Sequence, residues 1–353
     1  MHKRIPEERA LALQVLAGTK DFDAIREAVL AQAGAIPLSA AHPDADRLIE
    51  RGNLLANWAA SYSGRDIAGN HNLAVARGLA QSDFQIDLAG VLQRMAVRRF
   101  RAGQQHRRMA SMIEVPNFNS YEFPTVDSDC RLLPLNDEHH QRDAASIKIF
   151  NGVSARVRTY GRSIHVSRQA IVNSQILELH QLFGNIGAHA ARLEARALAE
   201  LIASNPTLAD AEPMFHVDHG NLITGTLGLS GLDAALGALR NQQTPGEEKA
   251  DLPGAHLLVP ANLEATAKSL VHQNGLGLEV HSSCWLTTAN QWYVLADPSL
   301  APVVGLMHLT GSDFPSVSPE RDEKDRGGAL MGAYFDFAAV ALDRVGIVQV
   351  TPE

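Results

Sequence analysis

The strongest constraint in this sequence is a run of apolar residues between Ile176 and Ser204. Ile176, Leu179, Leu182, Phe183, Ile186, Ala190, Leu193, Ala197, Leu201 and Ile202 recur at steps of three and four, the period of one helical face. A single helix over this stretch extends about 40 Å at roughly 1.5 Å per residue. That is longer than an average globular helix and suits a beam on which other elements lie. Asn205-Pro206 stops it, since proline has no amide hydrogen and clashes with the turn before it. Glu178, Glu194 and Glu200 share the helix with Arg192 and Arg196, and pairing along the helix surface accounts for them.

The segment before the helix has the opposite character. Pro116, Pro124 and Pro134 break any helix, while Ile147-Lys148-Ile149-Phe150 and Ser154 to Tyr160 read as strands. Together they predict a long, exposed β-hairpin with a polar tip at Asn136-Asp137-Glu138-His139-His140. A two-stranded projection cannot bury its own faces and is marginal alone, so it needs a neighbour to lie on.

Short helices are expected from residue 1 to about 80. Glu7–Ala17, Asp21–Ala33 and Asp44–Trp58 carry apolar residues at helical spacing, and Tyr62 to Asn70 reads as a linker. Ser82-Asp83-Phe84 opens a stronger helix through Ile86, Leu88, Val91, Leu92 and Met95. Its continuation holds Arg94, Arg98, Arg99, Arg101, Arg107 and Arg108, a set able to meet phosphates or carboxylates. Downstream, Ser230 is expected to cap a helix through Leu239, followed by a charged loop from Gln242 to Asp251. A strand at His256–Pro260 and a helix at Asn262–His272 come next, then strands at Trp292–Ala296 and Val303–Leu309. Gly332 to Val350 is expected to return as strand. The class is α+β with intercalated segments.

Composition narrows the function. The 353 residues allow two or three structural units, and the net charge of −8 is the wrong sign for a protein that coats nucleic acid. Cys130 and Cys284 form no CxxC pair, so neither a zinc ribbon nor a disulfide framework is expected. Cys284, beside Trp285, reads as an inert buried thiol. Met-His-Lys-Arg continues into Ile-Pro-Glu-Glu-Arg without the apolar stretch of a secretory signal, and no apolar run reaches about eighteen residues. A soluble protein made in the cytoplasm is the expectation.

The chain lacks GxxxxGK[ST], GxGxxG after a strand, and HExxH, and Gly228-Leu229-Ser230-Gly231 falls short of a nucleophile elbow. His216-Val217-Asp218-His219 is the one dense cluster of metal-ligand residue types, and His139 or His140 could add to it. The same residues before Gly220-Asn221 equally suit a turn held by side-chain to backbone hydrogen bonds. No catalytic residue, resident metal or cofactor is expected.

Met214-Phe215-His216-Val217-Asp218-His219-Gly220-Asn221-Leu222, preceded by the long helix and Asn205-Pro206, resembles the major capsid proteins of tailed bacteriophages with the Hong Kong 97-type fold. The similarity is greatest to those encoded with, or fused to, a head-maturation protease. Other segments agree in the same order: Ser82-Asp83-Phe84, Tyr160-Gly161-Arg162 leading to Ser167–Asn173, Leu257–Pro260 before Leu263-Glu264, Trp292-Tyr293 before Ala296-Asp297-Pro298, and Asp336-Phe337 before Asp343-Arg344. The resemblance spans about residues 82 to 350. It departs at Asn173-Ser174-Gln175, where acidic residues follow the asparagine in the family pattern.

The resemblance implies an N-terminal helical arm or extension over 1–81, a first part of a peripheral domain over 82–112 and an extended β-hairpin loop over 113–175. It further implies a peripheral domain with its spine helix over 176–228, an axial domain over 229–330 and a returning C-terminal strand over 331–353. The implied function is a self-assembling icosahedral shell around double-stranded DNA, built of hexamers and pentamers and located in the virion after assembly in the bacterial cytoplasm. Implied partners are a portal, a scaffold or maturation protease, decoration proteins, and DNA held by weak non-specific contact, with no membrane. Candidate intersubunit contacts are Lys148, Asp137 and Glu138 in the loop, Arg156 and Arg158 at its end, and Arg98 and Arg99 on the basic helix. Lys148 would also be the candidate for a lysine–asparagine crosslink, as some related shells form. Two alternatives stay open: an encapsulin-like compartment around protein cargo, and a metal-dependent hydrolase using His216, Asp218 and His219.

Overall fold

A computed structural model of the chain describes residues 22–50, 52–63, 71–127, 148–244, 248–321 and 327–352. The helices, in chain order, are α1 (Phe22–Gln32), α2 (Ala45–Glu50), α3 (Leu54–Ser61), α4 (His71–Leu79), α5 (Ser82–Gly103), α6 (Arg168–Val172), α7 (Ile176–Ala203), α8 (Leu229–Asn241) and α9 (Glu264–Asn274). The strands are β1 (Ser111–Val115), β2 (Tyr121–Asp127), β3 (Lys148–Ala155), β4 (Arg158–Ser167), β5 (Leu222–Thr224), β6 (Gly254–Pro260), β7 (Glu279–Ser283), β8 (Trp292–Ala296), β9 (Val304–Leu309), β10 (Ser316–Glu320), β11 (Gly328–Ala341) and β12 (Ile347–Thr351). The periodicity over 176–204 forms one helix, and the expected helix Glu7–Ala17 lies outside the described residues. The chain divides into two compact units.

The first unit comprises Met1–Gly103, Thr159–Ala191 and Ser312–Asp336. Its core joins Ile25, Val29, Leu55, Trp58, Val75, Phe84, Leu88 and Leu92 to Ile171, Phe183 and Met331. Trp58 and Phe84 are fully buried and meet edge to face at 5.2 Å, and burying each ring stabilises by roughly 1.5–3 kcal/mol. Helices α1 to α4, in the stretch expected as an arm or extension, are therefore core helices of this unit. The single helix expected over 44–58 is two helices. Gly52 and Asn53 both have left-handed backbone, with φ of 68° and 49°, which ends one helix and redirects the chain into the next. Helices α3 and α4 approach so closely that a Cβ on Gly78 would lie 1.7 Å from the Ala59 carbonyl oxygen. Only glycine fits there. Between α6 and α7, Ser174 also takes left-handed backbone, at φ 49°, so the segment that departs from the family pattern is a tight helix-to-helix turn. The Ser167 hydroxyl caps α6 by accepting from the Ala170 amide at 3.2 Å. In the same unit β10 pairs antiparallel with the first half of β11, from Ser316 opposite Tyr334 to Glu320 opposite Leu330.

The second unit comprises Gln104–Arg158, Arg192–Gly311 and Phe337–Glu353. Its main sheet has the order β5-β12-β8-β6-β7. One face, with Leu257, Val259, Trp292, Val294, Val348 and Val350, packs under α8 and α9 through Leu232, Leu239 and Ala267. Residues of opposite parity, including Leu258, Tyr293, Leu295 and Ile347, join Leu198, Ile202, Met214 and Phe215. Covered on both faces, β8 is buried at all its residues, which is why it reads as a continuous apolar run rather than an alternation. Ser230, expected as a cap, lies inside α8, whose N-cap is Gly228. Cys284 is exposed just after β7, so the expected buried thiol faces solvent. Elsewhere in the unit β1 runs parallel to β9, and β9 pairs antiparallel with Phe337–Ala341 of β11.

The hairpin also belongs to this unit. Strands β2 and β3 pair antiparallel from Tyr121 opposite Ala155 to Asp127 opposite Lys148, with a register shift between Phe123 and Thr125. Pro124 sits at that shift, where a residue without an amide hydrogen is tolerated. A Cβ on Gly152 would lie 1.6 Å from the Phe123 carbonyl oxygen. The root of the hairpin packs through Tyr121, Phe123, Val153 and Ala155 on Val115, Val157, Met307 and Val340. The strand expected over 154–160 is split, because Val157 turns into this cluster and separates β3 from β4. The polar tip at 136–140, with Asp137 and Glu138, lies outside the described residues.

Candidate functional site

The candidate contact residues fall in two places. In the first unit Arg98 and Arg99 stand exposed on α5, and a Cβ on Gly184 would come within 3.2 Å of the Arg99 side chain. His180 lies near both. Burial first, and then the two guanidinium charges, push its pKa down. Arg101 places its guanidinium 4.7 Å from the centre of the Phe314 ring. In the second unit Arg156 and Arg158 are exposed on either side of buried Val157. None of Arg98, Arg99, Arg156 and Arg158 forms an ion pair within its own unit among the described residues. Lys148 begins β3, opposite Asp127.

A fully enclosed carboxylate was not expected. Glu194 of α7 has no solvent exposure. Its Oε2 meets His106 Nε2 at 2.7 Å and accepts from Arg107 Nε at 2.8 Å; its Oε1 accepts from Arg107 Nη2 at 2.9 Å and meets His308 Nε2 at 2.6 Å. Burial alone would raise the carboxyl pKa, but hydrogen bonds from His106, His308 and Arg107, with the Arg107 charge, outweigh it and hold it far below the ordinary carboxylate range. Surface pairing thus describes Arg196 and Glu200, 2.8 Å apart, and not Glu194. The signal was present in the phase of the helix, because Glu194 continues the buried stripe of Ala190, Ala191 and Leu198.

The His216–His219 segment is a structural turn. The His216 ring accepts from the Asp218 amide at 3.3 Å and caps a short 3-10 turn that ends at Gly220, with φ of 64°. His219 Nε2 instead meets Asp210 at 3.1 Å, and Arg344 reaches the same carboxylate at 3.3 Å. Fully buried Asn221 accepts from the His216 amide and donates to the Met214 carbonyl at 2.7 Å. Asn205, at the end of α7, accepts from and donates to the Phe215 backbone. His216, Asp218 and His219 do not converge on one point, so the hydrolase site is corrected to a set of turn-forming hydrogen bonds; His139 and His140 lie outside the described residues.

Among the described residues, the group with ligand atoms close enough to share a cation is His256, Glu279 and His281, all within 4.8 Å of one another. His256 Nδ1 and His281 Nε2 are 3.1 Å apart, and Glu279 Oε2 is 3.9 Å from each. Arg108 donates to the other Glu279 oxygen, Oε1, at 2.6 Å. Burial lowers both imidazole pKa values, His281 to about 4, where neighbouring His256 adds to the effect. Both rings are therefore neutral near pH 7. Neither strand pattern announced this cluster, because parallel pairing joins residues on opposite sides of α9.

A family model described as a phage capsid protein matches residues 152–350. No curated protein matches the chain. Solved structures with a similar fold include a virus-like particle from Pyrococcus furiosus, at 10% identity and a TM-score of 0.49, covering 75% of this chain and 100% of that one. Another is from Microbacterium phage Oxtober96, at 9% identity and a TM-score of 0.49, covering 71% and 91%. A third is the holo-SrpI encapsulin complex from Synechococcus elongatus, at 14% identity and a TM-score of 0.43, covering 71% and 88%.

Proposed function

This chain belongs to the phage capsid protein family, and on that premise we propose that it is the major shell subunit of a tailed-phage head, closing with identical copies around packaged double-stranded DNA. The observation that carries this reading is the family match over residues 152–350, which takes in the second half of β3, all of α7 and the main sheet of the second unit up to Val350. The hairpin of β2 and β3 is the extended loop of the Hong Kong 97-type fold, with α7 as the spine helix and the sheet under α8 and α9 as the axial domain. Its strands are anchored at the root by Val115, Val157, Met307 and Val340, and the rest of the loop lies on an adjacent subunit. Exposed Arg156, Arg158, Arg98 and Arg99 meet carboxylates of neighbours, with Lys148, Asp137 and Glu138 contributing from the loop.

Contacts of this kind are heterologous, joining one surface of a subunit to a different surface of the next, and such contacts close into rings. Hexamers and pentamers then form the shell in the bacterial cytoplasm, with a portal at one vertex and a scaffold or protease acting before maturation. A net charge of −8 supports a wall that holds DNA weakly enough to let it enter and leave. Sedimentation of the purified full-length chain tests the reading: capsomer-sized or larger species are expected, and a monomer at every concentration and salt would contradict it.

A further inference from the structure

We propose that His256, Glu279 and His281 form a binding site for one divalent transition-metal cation of the Zn2+ class, with two imidazole nitrogens and one carboxylate oxygen as ligands and a fourth position open to solvent. This inference stands on the second unit alone and does not depend on the shell reading.

The backbone sets the three side chains on one face. Strands β6 and β7 pair in parallel with His256 opposite Glu279 and Leu258 opposite His281. Residues in register on neighbouring strands share a face, and so do residues two apart on one strand. The sheet therefore presents His256, Glu279 and His281 together, and the ligand spacing is fixed by the ladder rather than by a loop. A site built on strands holds its geometry better than one built on a loop.

The distances suit a small cation. Two nitrogens each about 2.0–2.1 Å from a tetrahedral zinc are roughly 3.3 Å apart, and His256 Nδ1 and His281 Nε2 are 3.1 Å apart. Glu279 Oε2, at 3.9 Å from both, closes the set with a small rotation of a side chain that is 38% exposed. Two nitrogens and one oxygen form a borderline set that suits zinc over magnesium or calcium, which prefer oxygen alone.

The surrounding groups are those that orient metal ligands. Glu279 divides its oxygens, Oε1 accepting from Arg108 at 2.6 Å while Oε2 faces the imidazoles. The Arg108 guanidinium is a positive charge beside the site, and at 65% exposure water screens it. In the metal-free protein one proton is shared between the two facing nitrogens. On binding, the ring that carries that proton moves it to its other nitrogen, so both neutral rings offer the facing lone pair and no net proton need leave. Glu279 is the most exposed of the three, and β7 is the last strand of the sheet order. The open coordination position therefore faces outward.

The test uses the full-length chain, stripped with a chelator, dialysed, and titrated with CoCl2 and then ZnCl2. One equivalent of Co2+ is expected to give the intense visible bands of a four-coordinate ion, and Zn2+ to displace it. His281→Ala should abolish the bands. Glu279→Gln, at a partly exposed position that leaves the core intact, should shift the titration to higher metal concentration, while His216→Ala leaves it unchanged. Absence of a stoichiometric Co2+ or Zn2+ complex in the folded wild type overturns the proposal. So does binding that survives Glu279→Gln and His281→Ala unaltered, or that follows His216 instead.

Discussion

Glu194 on α7 and His308 on β9, separated by 114 positions in sequence, meet at 2.6 Å with 0% and 1% of their side chains exposed. A charge enclosed in this way is tolerable only with partners, and His106 and Arg107 complete them. The junction ties the second half of the spine helix to the sheet within one unit.

Breaking this junction should be costly. Removing one member of a buried charged network leaves the others desolvated, at about 3–5 kcal/mol. Glu194→Ala should lose that amount in chemical denaturation of the second unit. A loss below about 1 kcal/mol, the value of an exposed pair, would show that the carboxylate is not enclosed as described.

The same carboxylate sets an acid limit. Its folded pKa is depressed below the ordinary 4.5, so between the two values the unfolded chain binds more protons than the folded one. Its stabilisation is present above pH 4.5 and is lost as pH falls through and below that value. Wild-type stability should therefore drop steeply under acid, and Glu194→Gln should flatten that dependence. Parallel acid curves for the two proteins would contradict the assignment.

Close helix packing in the first unit makes a separate prediction. The added methyl of Gly78→Ala meets the Ala59 carbonyl oxygen, a backbone atom that cannot rotate away. Forcing α3 and α4 apart should cost about 1–3 kcal/mol. Thermal melting checks it, with Gly90→Ala as the control, since a Cβ there meets nothing within 4 Å. Equal melting temperatures would argue against the contact.

Charge reversal at the hairpin's end separates folding from assembly. Arg156 and Arg158 are exposed and make no ion pair within their unit among the described residues, so Arg156→Glu with Arg158→Glu should leave circular dichroism and melting within about 0.5 kcal/mol of wild type. Assembly should fail or slow markedly in light scattering. Normal particles from the double variant would remove these residues from the proposed interface.

What could be read from the sequence follows from the range of each interaction. The spine helix was legible because its stripe and its Asn205-Pro206 stop are local; the expected end at Ser204 and the observed end at Ala203 differ by one residue. The buried strands at 256–260 and 292–296 were legible as continuous apolar runs. The division of 44–58 at Gly52-Asn53 was not, since a helical apolar pattern continues across the break. Nor was the place of helices α1 to α4. An amphipathic helix has the same pattern whether it packs on its own unit or reaches outward, and only Trp58 and Phe84 in contact decide it. Glu194 and the His256–His281 pair depend on long-range register, and a charged residue on a helix is ordinarily a surface residue. The two were misplaced or missed for that reason.

The central claim is closure into a shell by identical copies of this chain. Electron microscopy of the full-length protein, expressed alone or with its neighbouring genes, measures it directly. The account predicts closed, uniform icosahedral particles in which the hairpin of one subunit crosses the next. Dispersed single molecules, or irregular aggregates in which no subunit's hairpin touches a neighbour, would contradict it.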